Sequence, residues 1–234
     1  MSWLAGRSLS CVRNWLNKLD VVYKRGREHV HSPDENYHSK LYQIGRCLTK
    51  AHFSAGEVVM LYQDELTYYR RPSVAQSYGE KGTDKPHAEQ GHRSNTKRRI
   101  SGCIDVVSGR LLAEQGSRYT RRHLLAFYRK VEAAYPEAKR IYIVQDNWPV
   151  HFHPDVIKGL AKTKIKLVRL PTYAPWTNPI EKVWRKLKQE IIHLHSYKDD
   201  WTGLQEAVSN WLSSYDKPSP SLLRYVGLLP DLNM

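Results

Sequence analysis

Three acidic residues stand where they could share one chemical task. Asp64 follows an apolar run at residues 57–62, Asp146 follows a second at residues 140–145, and Glu181 opens a helical pattern shortly after a third. Successive strand side chains alternate between faces, so only one of Asp64 and the adjacent Glu65 can join a given site. If the three strands are neighbours, Asp64, Asp146 and Glu181 meet at one edge of a sheet.

Three carboxylates brought together repel one another, so their convergence implies divalent cations. Hard oxygen ligands favour Mg²⁺ or Mn²⁺. Two such ions, about 4 Å apart, can activate a water or a 3′-hydroxyl and stabilise the leaving oxygen of a phosphodiester. The acids therefore predict metal-assisted phosphodiester chemistry.

The charge of the whole chain fits a polyanionic substrate. Lys and Arg number 37 against 23 Asp and Glu, which gives a net charge of +14, and such an excess is typical of nucleic-acid binders. The basic residues that we expect to contact DNA are Arg13, Lys24, Arg25, Arg27, Lys97, Arg98, Arg99, Lys182, Arg185 and Lys188.

Each acid also has a purely structural interpretation. Asp64 and Asp146 could be ordinary turn residues at strand ends. Glu181 could complete a capping box, because Asn178 suits the N-cap and Pro179 suits the first helical turn. These alternatives stay open on the residues alone.

Hydrophobic periodicity predicts an α/β protein. A Ser108-Gly109 turn predicts a hairpin, with Asp105 serving the turn, and later strands alternate with helices, which together imply a mixed sheet covered by helices. A basic loop is expected at residues 80–99. Helices are predicted at residues 8–19, 37–55, 120–135, 154–161 and 199–215, and strands at 57–65, 73–78, 99–107, 110–114, 140–147 and 165–170.

Other classes of protein are disfavoured. The three cysteines form no Cys-x-x-Cys pair, there is no apolar run of about 20 residues, and no Gly-rich phosphate loop is present. We expect a cytoplasmic protein with no membrane partner.

In three local motifs the sequence resembles the mariner-like superfamily of DDE transposases, in its bacterial insertion-sequence branch. These motifs are Gln63-Asp64-Glu65, then Val144-Gln145-Asp146-Asn147 followed by His151, and residues 170–184, which include Asn178-Pro179-Ile180-Glu181. The 34 residues between Asp146 and Glu181 also match that family. Ala174 departs from it, since a serine is common there.

The resemblance implies a ribonuclease H-like core in which Asp64, Asp146 and Glu181 bind two Mg²⁺ or Mn²⁺ ions. Asn147, His151 and Asn178 would lie near that site. The implied activity is DNA transposition: cleavage at the ends of a mobile element, followed by joining of the 3′-hydroxyl to target DNA. A homodimer on DNA is a further expectation.

The resemblance also suggests how the chain is divided. Residues 1–36 would be a remnant of a helix-turn-helix region plus a basic linker, residues 37–215 the DDE catalytic domain, and residues 216–234 a C-terminal tail. Family members carry a complete helix-turn-helix region, so we expect an N-terminally truncated chain. The alternative functions are a catalytically incompetent DNA-binding remnant and a ribonuclease that acts on RNA–DNA hybrids.

Overall fold

The computed structural model describes residues 8–22, 31–82 and 84–229. The chain forms two compact units, Met1–His31 and Ser32–Met234. In the first, α1 (Leu9–Lys18) begins where predicted, because the Ser8 hydroxyl accepts a hydrogen bond from the Cys11 N–H. Lys24, Arg25 and Arg27, which we expect to contact DNA, lie outside the described residues.

The second unit is built on a five-stranded mixed sheet, with the strands in the order β3-β2-β1-β4-β5. The first three strands pair antiparallel, whereas β4 pairs parallel to both β1 and β5. The predicted mixed sheet is therefore confirmed. Its strands are β1 (Val58–Tyr69), β2 (Lys97–Asp105), β3 (Leu111–Gly116), β4 (Arg140–Gln145) and β5 (Ile165–Arg169).

Helices cover both faces of the sheet and give two apolar cores. Met60, Tyr62 and Leu66 of β1 face a first core, while Val59 and Leu61 face a second. The first core is closed by α2 (Tyr37–Phe53), α5 (Ile180–Leu187), α6 (Trp201–Ser214) and α7 (Pro220–Val226), and the second by α3 (Arg121–Ala133) and α4 (Pro154–Leu160). None of the described helices is long and apolar enough to cross a membrane.

The hairpin forms as predicted. The Asp105 carboxylate accepts hydrogen bonds from the N–H groups of Val107 and Ser108, at 2.8 and 3.1 Å. Gly109 follows at φ +70°, and a Cβ there would lie 2.3 Å from the Ser219 carbonyl oxygen. Glycine is therefore required both by the backbone conformation and by the close approach of the chain that leads into α7.

Two strand predictions are wrong in part. β1 continues to Tyr69, so Asp64 lies within the strand and not at its end. Residues 73–78 form no strand, and only Ser73 makes an isolated bridge, to His193. The apolar residues Val74 and Tyr78 are exposed because no other layer of the protein covers them. Without a core to pack against, the alternating apolar pattern does not stabilise a strand here. Lys97, Arg98 and Arg99, assigned to the basic loop, instead begin β2.

The C-terminal segment contains a helix that the sequence did not predict. Within residues 216–234, α7 is capped by the Ser219 hydroxyl and ends at Gly227 in a left-handed conformation. Leu222, Leu223 and Val226 are each at most 3% exposed. This part of the predicted tail therefore belongs to the folded unit.

We expect Leu222→Ala to lower the free energy of unfolding by about 2–5 kcal/mol, because it opens a cavity in the first core. Denaturant-induced unfolding followed by circular dichroism measures the change. Ile157→Ala is the control, since Ile157 is 46% exposed and its truncation should cost less than about 1 kcal/mol. Equal losses in the two variants would contradict the burial of α7.

Candidate active site

Strand pairing brings Asp64 and Asp146 to the same region of the sheet. In the parallel pair of β1 and β4, Tyr62 lies opposite Val144, the last pair of this ladder. Asp64 follows Tyr62 by two residues within β1 and shares its face, which lines the first core. Asp146 follows Val144 by two residues, directly after the end of β4.

Glu181 joins them from α5. A cavity of about 500 Å³ is lined by Asp64, Asp146 and Glu181, together with the loop at residues 170–175. The structure therefore brings the three predicted acids to one cavity.

Asp64 is held by Trp184. The indole Nε1 donates a hydrogen bond to Asp64 Oδ2 at 2.9 Å. Gly102 lies opposite Asp64 on β2, and a Cβ there would come within 2.5 Å of the indole ring. Because Gly102 has no side chain, the indole ring of Trp184 fits against β2 and reaches the Asp64 carboxylate. Sequence reasoning gave neither Trp184 nor Gly102 a role.

The Asp64 carboxyl is strongly perturbed. Burial, followed by repulsion from Glu181, raises its pKa to about 7. The pKa of Glu181 is raised as well, first by burial and then by Asp146, although Lys188 and Arg185 oppose that change. The raised pKa values indicate that nearby positive charge does not fully offset the burial and repulsion of the Asp64 and Glu181 carboxylates.

Asp146 is compensated differently. Its Oδ1 accepts a hydrogen bond from the Trp148 N–H at 3.0 Å and lies 3.3 Å from His151 Nε2. Burial alone would raise the pKa of Asp146, but hydrogen bonding to His151 and Trp148 outweighs it and lowers the pKa. Burial likewise opposes a charge on His151, yet Asp146 and Glu65 raise its pKa to about 9.

The predicted capping box at α5 does not form. Pro179, and not Asn178, is the N-cap residue of α5, and Asn178 Oδ1 accepts no hydrogen bond from any described residue. Instead its Nδ2 donates to the Gln63 carbonyl oxygen at 3.2 Å, which ties the start of α5 to β1. No cap hydrogen bond involves the Glu181 side chain in the described part of the chain, so the capping interpretation of Glu181 is wrong.

Loop contacts shape the opposite wall of the cavity. Asn147 Nδ2 donates to the Leu170 carbonyl oxygen at 2.8 Å, and its Oδ1 accepts from Arg169 at 3.3 Å. Asn147 therefore links the ends of β4 and β5 at the site.

Asp34 holds the same loop from another side. Its carboxylate accepts a hydrogen bond from the Thr172 N–H at 2.8 Å, and Lys40 holds the pKa of Asp34 well below its usual range.

The predicted DNA-contacting residues of the second unit lie on α5, on the turn that follows it and on β2. Arg185 and Lys188 are exposed and close enough to Glu181 to lower its pKa. Lys182 turns away, since its Nζ lies about 3.1 Å from the position of a Cβ on Gly227.

On β2, Arg98 shares the sheet face of Asp64, whereas Lys97 and Arg99 alternate to the other face. Arg13 lies on α1, in the first unit. Among the predicted DNA-contacting residues that the structure describes in the second unit, Arg185 and Lys188 lie beside Glu181.

The donor chemistry of the cavity fits a divalent cation. Three carboxylates supply hard oxygen ligands, and two of them have raised pKa values through burial and mutual repulsion. Within the described ranges, no three His, Cys, Asp or Glu side chains already stand close enough together to hold a metal ion. The three acids are therefore suitable metal ligands, but their side chains are farther apart than the ligands of a bound metal ion.

Comparison with known proteins gives consistent matches. A family model described as DDE superfamily endonuclease matches residues 59–202. The "Insertion element IS630 uncharacterized 39 kDa protein" of Shigella sonnei is 23% identical over 196 residues, which are 83% of this chain and 56% of that protein. The chain thus spans little more than half the length of that relative.

Two solved structures of Mos1 share the fold. The "Mos1 transposase paired-end complex with left transposon end" matches with a TM-score of 0.66 at 18% identity, over 98% of this chain and 69% of that one. The catalytic domain of Mos1 mariner transposase matches with a TM-score of 0.56 at 13% identity, over 88% and 91% of the two chains. The expected ribonuclease H-like fold is thereby confirmed.

The raised pKa of Asp64 predicts how stability depends on pH. The folded protein keeps the Asp64 proton up to about pH 7, whereas an ordinary aspartate loses it near 3.8. Stability contributed by this group therefore falls as the pH rises through that window. In EDTA at pH 8, Asp64→Asn should be more stable than the parent by on the order of 2 kcal/mol, with little difference at pH 4.

Denaturant unfolding at both pH values measures this difference. Asp199→Asn is the control, because the Asp199 side chain is 69% exposed and its replacement should leave the pH profile unchanged. An Asp64→Asn variant that is no more stable than the parent at pH 8 would show that Asp64 is not under electrostatic strain.

Proposed function

Because the chain belongs to the DDE superfamily of endonucleases, we propose that it is the catalytic part of a transposase. In this proposal it cleaves DNA at the ends of a mobile element and joins the exposed 3′-hydroxyl to target DNA. The observation that carries the proposal is that Asp64, Asp146 and Glu181 line one cavity.

Asp64, Asp146 and Glu181 would hold two Mg²⁺ or Mn²⁺ ions. When bound, such ions supply an activated water or 3′-hydroxyl and stabilise the leaving oxygen of the phosphodiester. Two Mos1 mariner paired-end complexes that share this fold were crystallised with Mn and with Mg, which is consistent with this choice of metals.

The protein's own task is to orient the ligands. Trp184 engages one oxygen of Asp64, and the Trp148 N–H engages one oxygen of Asp146, so one oxygen of each aspartate is directed by the fold. The loop at residues 170–175 forms one wall of the cavity. No covalent intermediate with the protein is needed for this reaction.

DNA is the partner in this proposal. Arg185 and Lys188 lie near Glu181 and would neutralise phosphates beside the scissile bond. The name of the IS630 relative places that protein in an insertion element, and the Mos1 title describes a complex with a transposon end. We infer that two copies of the protein act together on DNA.

Glu181→Gln tests the catalytic role. Glutamine keeps the shape of the side chain but is a poor ligand for Mg²⁺, so the variant should fold normally and lose about a thousandfold or more in cleavage rate. The measurement is Mg²⁺- or Mn²⁺-dependent nicking of duplex DNA taken from the regions that flank the gene.

Glu206→Gln is the matched control, since Glu206 is exposed on α6 and its variant should nick at the parental rate. Salt-sensitive DNA binding without any nicking by the folded parent would favour the DNA-binding remnant. Cleavage of the RNA strand of a hybrid, with DNA left intact, would favour a ribonuclease.

The basic residues beside Glu181 give a separate prediction. Replacing Arg185 and Lys188 together by Gln should weaken DNA binding and reduce the slope of log affinity against log salt by about 1–2. Lys182→Gln is the control on the same helix, because the Lys182 ammonium is directed toward Gly227. Fluorescence anisotropy at several salt concentrations measures both, and equal effects would contradict the placement of DNA beside Glu181.

A further inference from the structure

A buried histidine connects Asp146 to a carboxylate on the other face of the sheet. Asp64 and Glu65 are consecutive in β1, so Glu65 is directed away from the first core. His151 has no exposed surface, and its Nε2 lies 3.3 Å from Asp146 Oδ1 and 3.6 Å from Glu65 Oε2. One ring nitrogen thus lies between a carboxylate of β1 and the carboxylate that follows β4.

The surroundings determine which ring nitrogen faces the acids as a donor. On the other side of the ring, the Tyr128 hydroxyl lies 3.4 Å from His151 Nδ1 and donates to Gln145 Oε1 at 2.6 Å. A bare Nε2 lone pair would face two carboxylate oxygens and be repelled by both. Nε2 therefore carries hydrogen, and it lies between the two acids without a well-directed hydrogen bond to either one.

The partners of His151 are themselves fixed. Glu65 Oε1 accepts a hydrogen bond at 2.7 Å from Nε2 of Gln63, a residue that is 1% exposed. The imidazole packs edge-on against the rings of Trp148 and Phe152, at centroid distances of 5.4 and 6.5 Å. The ring consequently has little freedom to turn away from Asp146.

Only one of the two carboxylate oxygens of Asp146 contacts Trp148 and His151. Oδ1 receives both the Trp148 N–H and the His151 ring, which leaves Oδ2 as the oxygen available to a ligand. A carboxylate held through one oxygen presents the other in a defined direction, and such outer contacts tune metal ligands.

We propose that Glu65 is a positioning residue, which acts through His151 to fix the orientation of the Asp146 carboxylate. The proposal rests on the proposed function, because Asp146 is there a metal ligand. It gives the second acid of Gln63-Asp64-Glu65 a role that the three-acid site leaves unassigned.

Side-chain NMR of metal-free protein labelled with ¹⁵N-histidine tests the contact directly. The His151 signals are identified by their loss in His151→Gln. Glu65→Ala and Asp146→Ala should each shift the His151 Nε2 resonance. Ser101→Ala should not, although Ser101 is buried opposite Glu65 on β2. A His151 resonance that is unchanged in Glu65→Ala would overturn the proposal.

Binding of Mn²⁺ alone to the DNA-free protein, measured by electron paramagnetic resonance, tests the positioning. Glu65→Ala and His151→Ala should each bind Mn²⁺ roughly tenfold or more weakly. The double variant should be no weaker than His151→Ala, because Glu65 acts through that ring. Parental affinity in Glu65→Ala, or losses that multiply in the double variant, would overturn the proposal even if the NMR contact is present.

Glu65→Gln decides the matter if Glu65→Ala does not fold. It keeps the volume of the side chain but removes the negative charge that faces the His151 Nε2–H, so it should bind Mn²⁺ several-fold more weakly than the parent. Parental affinity in this variant would assign Glu65 to folding alone. A parent that binds no Mn²⁺ would count against the proposed function, whereas the NMR result is obtained without metal.

Discussion

The site depends on the pairing of two neighbouring parallel strands, which brings two carboxylates to one cavity. Asp64 and Asp146 each follow by two residues the pair in which Tyr62 of β1 lies opposite Val144 of β4. A register slip of one residue in either strand would send one carboxylate to the other face and pair the wrong acids. The apolar side chains of both strands, which have no exposed surface at Leu61, Ile143 and Val144, therefore determine the position of the acids as well as the stability of the sheet.

Asp64 and Asp146 are held in different ways. Trp184 directs Asp64, yet burial and then repulsion from Glu181 raise the pKa of Asp64 to about 7. At the end of β4, His151 and the Trp148 N–H lower the pKa of Asp146. The protein therefore favours the ionised form of Asp146 and disfavours the ionised forms of Asp64 and Glu181.

Much of this arrangement could be predicted from residue patterns. The apolar runs before Asp64 and Asp146 and the amphipathic pattern of α3 indicated the sheet and its helices, and the interval from Asp146 to Glu181 indicated the family. Such patterns can be recognised from neighbouring residues or from spacing along the chain. They were enough to predict that Asp64, Asp146 and Glu181 lie at one cavity, because functional groups of an α/β fold gather at one edge of the sheet.

The remaining features depend on contacts between distant segments. Trp184 reaches Asp64 only because Gly102, on another strand, leaves space for the indole. Asparagine is a residue type that favours the N-cap position. The side chain of Asn178 instead donates a hydrogen bond to the Gln63 carbonyl oxygen, which belongs to a distant strand. Residues 216–234 carry too short an apolar pattern to predict α7, whose burial is decided by the core it completes.

Isothermal titration of Mn²⁺ into DNA-free protein most directly tests the central claim, that Asp64, Asp146 and Glu181 act as one cation site. We predict that the parent binds Mn²⁺ and that Asp64→Asn, Asp146→Asn and Glu181→Gln each weaken that binding by at least about tenfold, because each removes a hard oxygen ligand. Parental affinity in any one of the three folded variants would contradict the claim for that residue, and unaltered binding in all three would contradict the site as a whole.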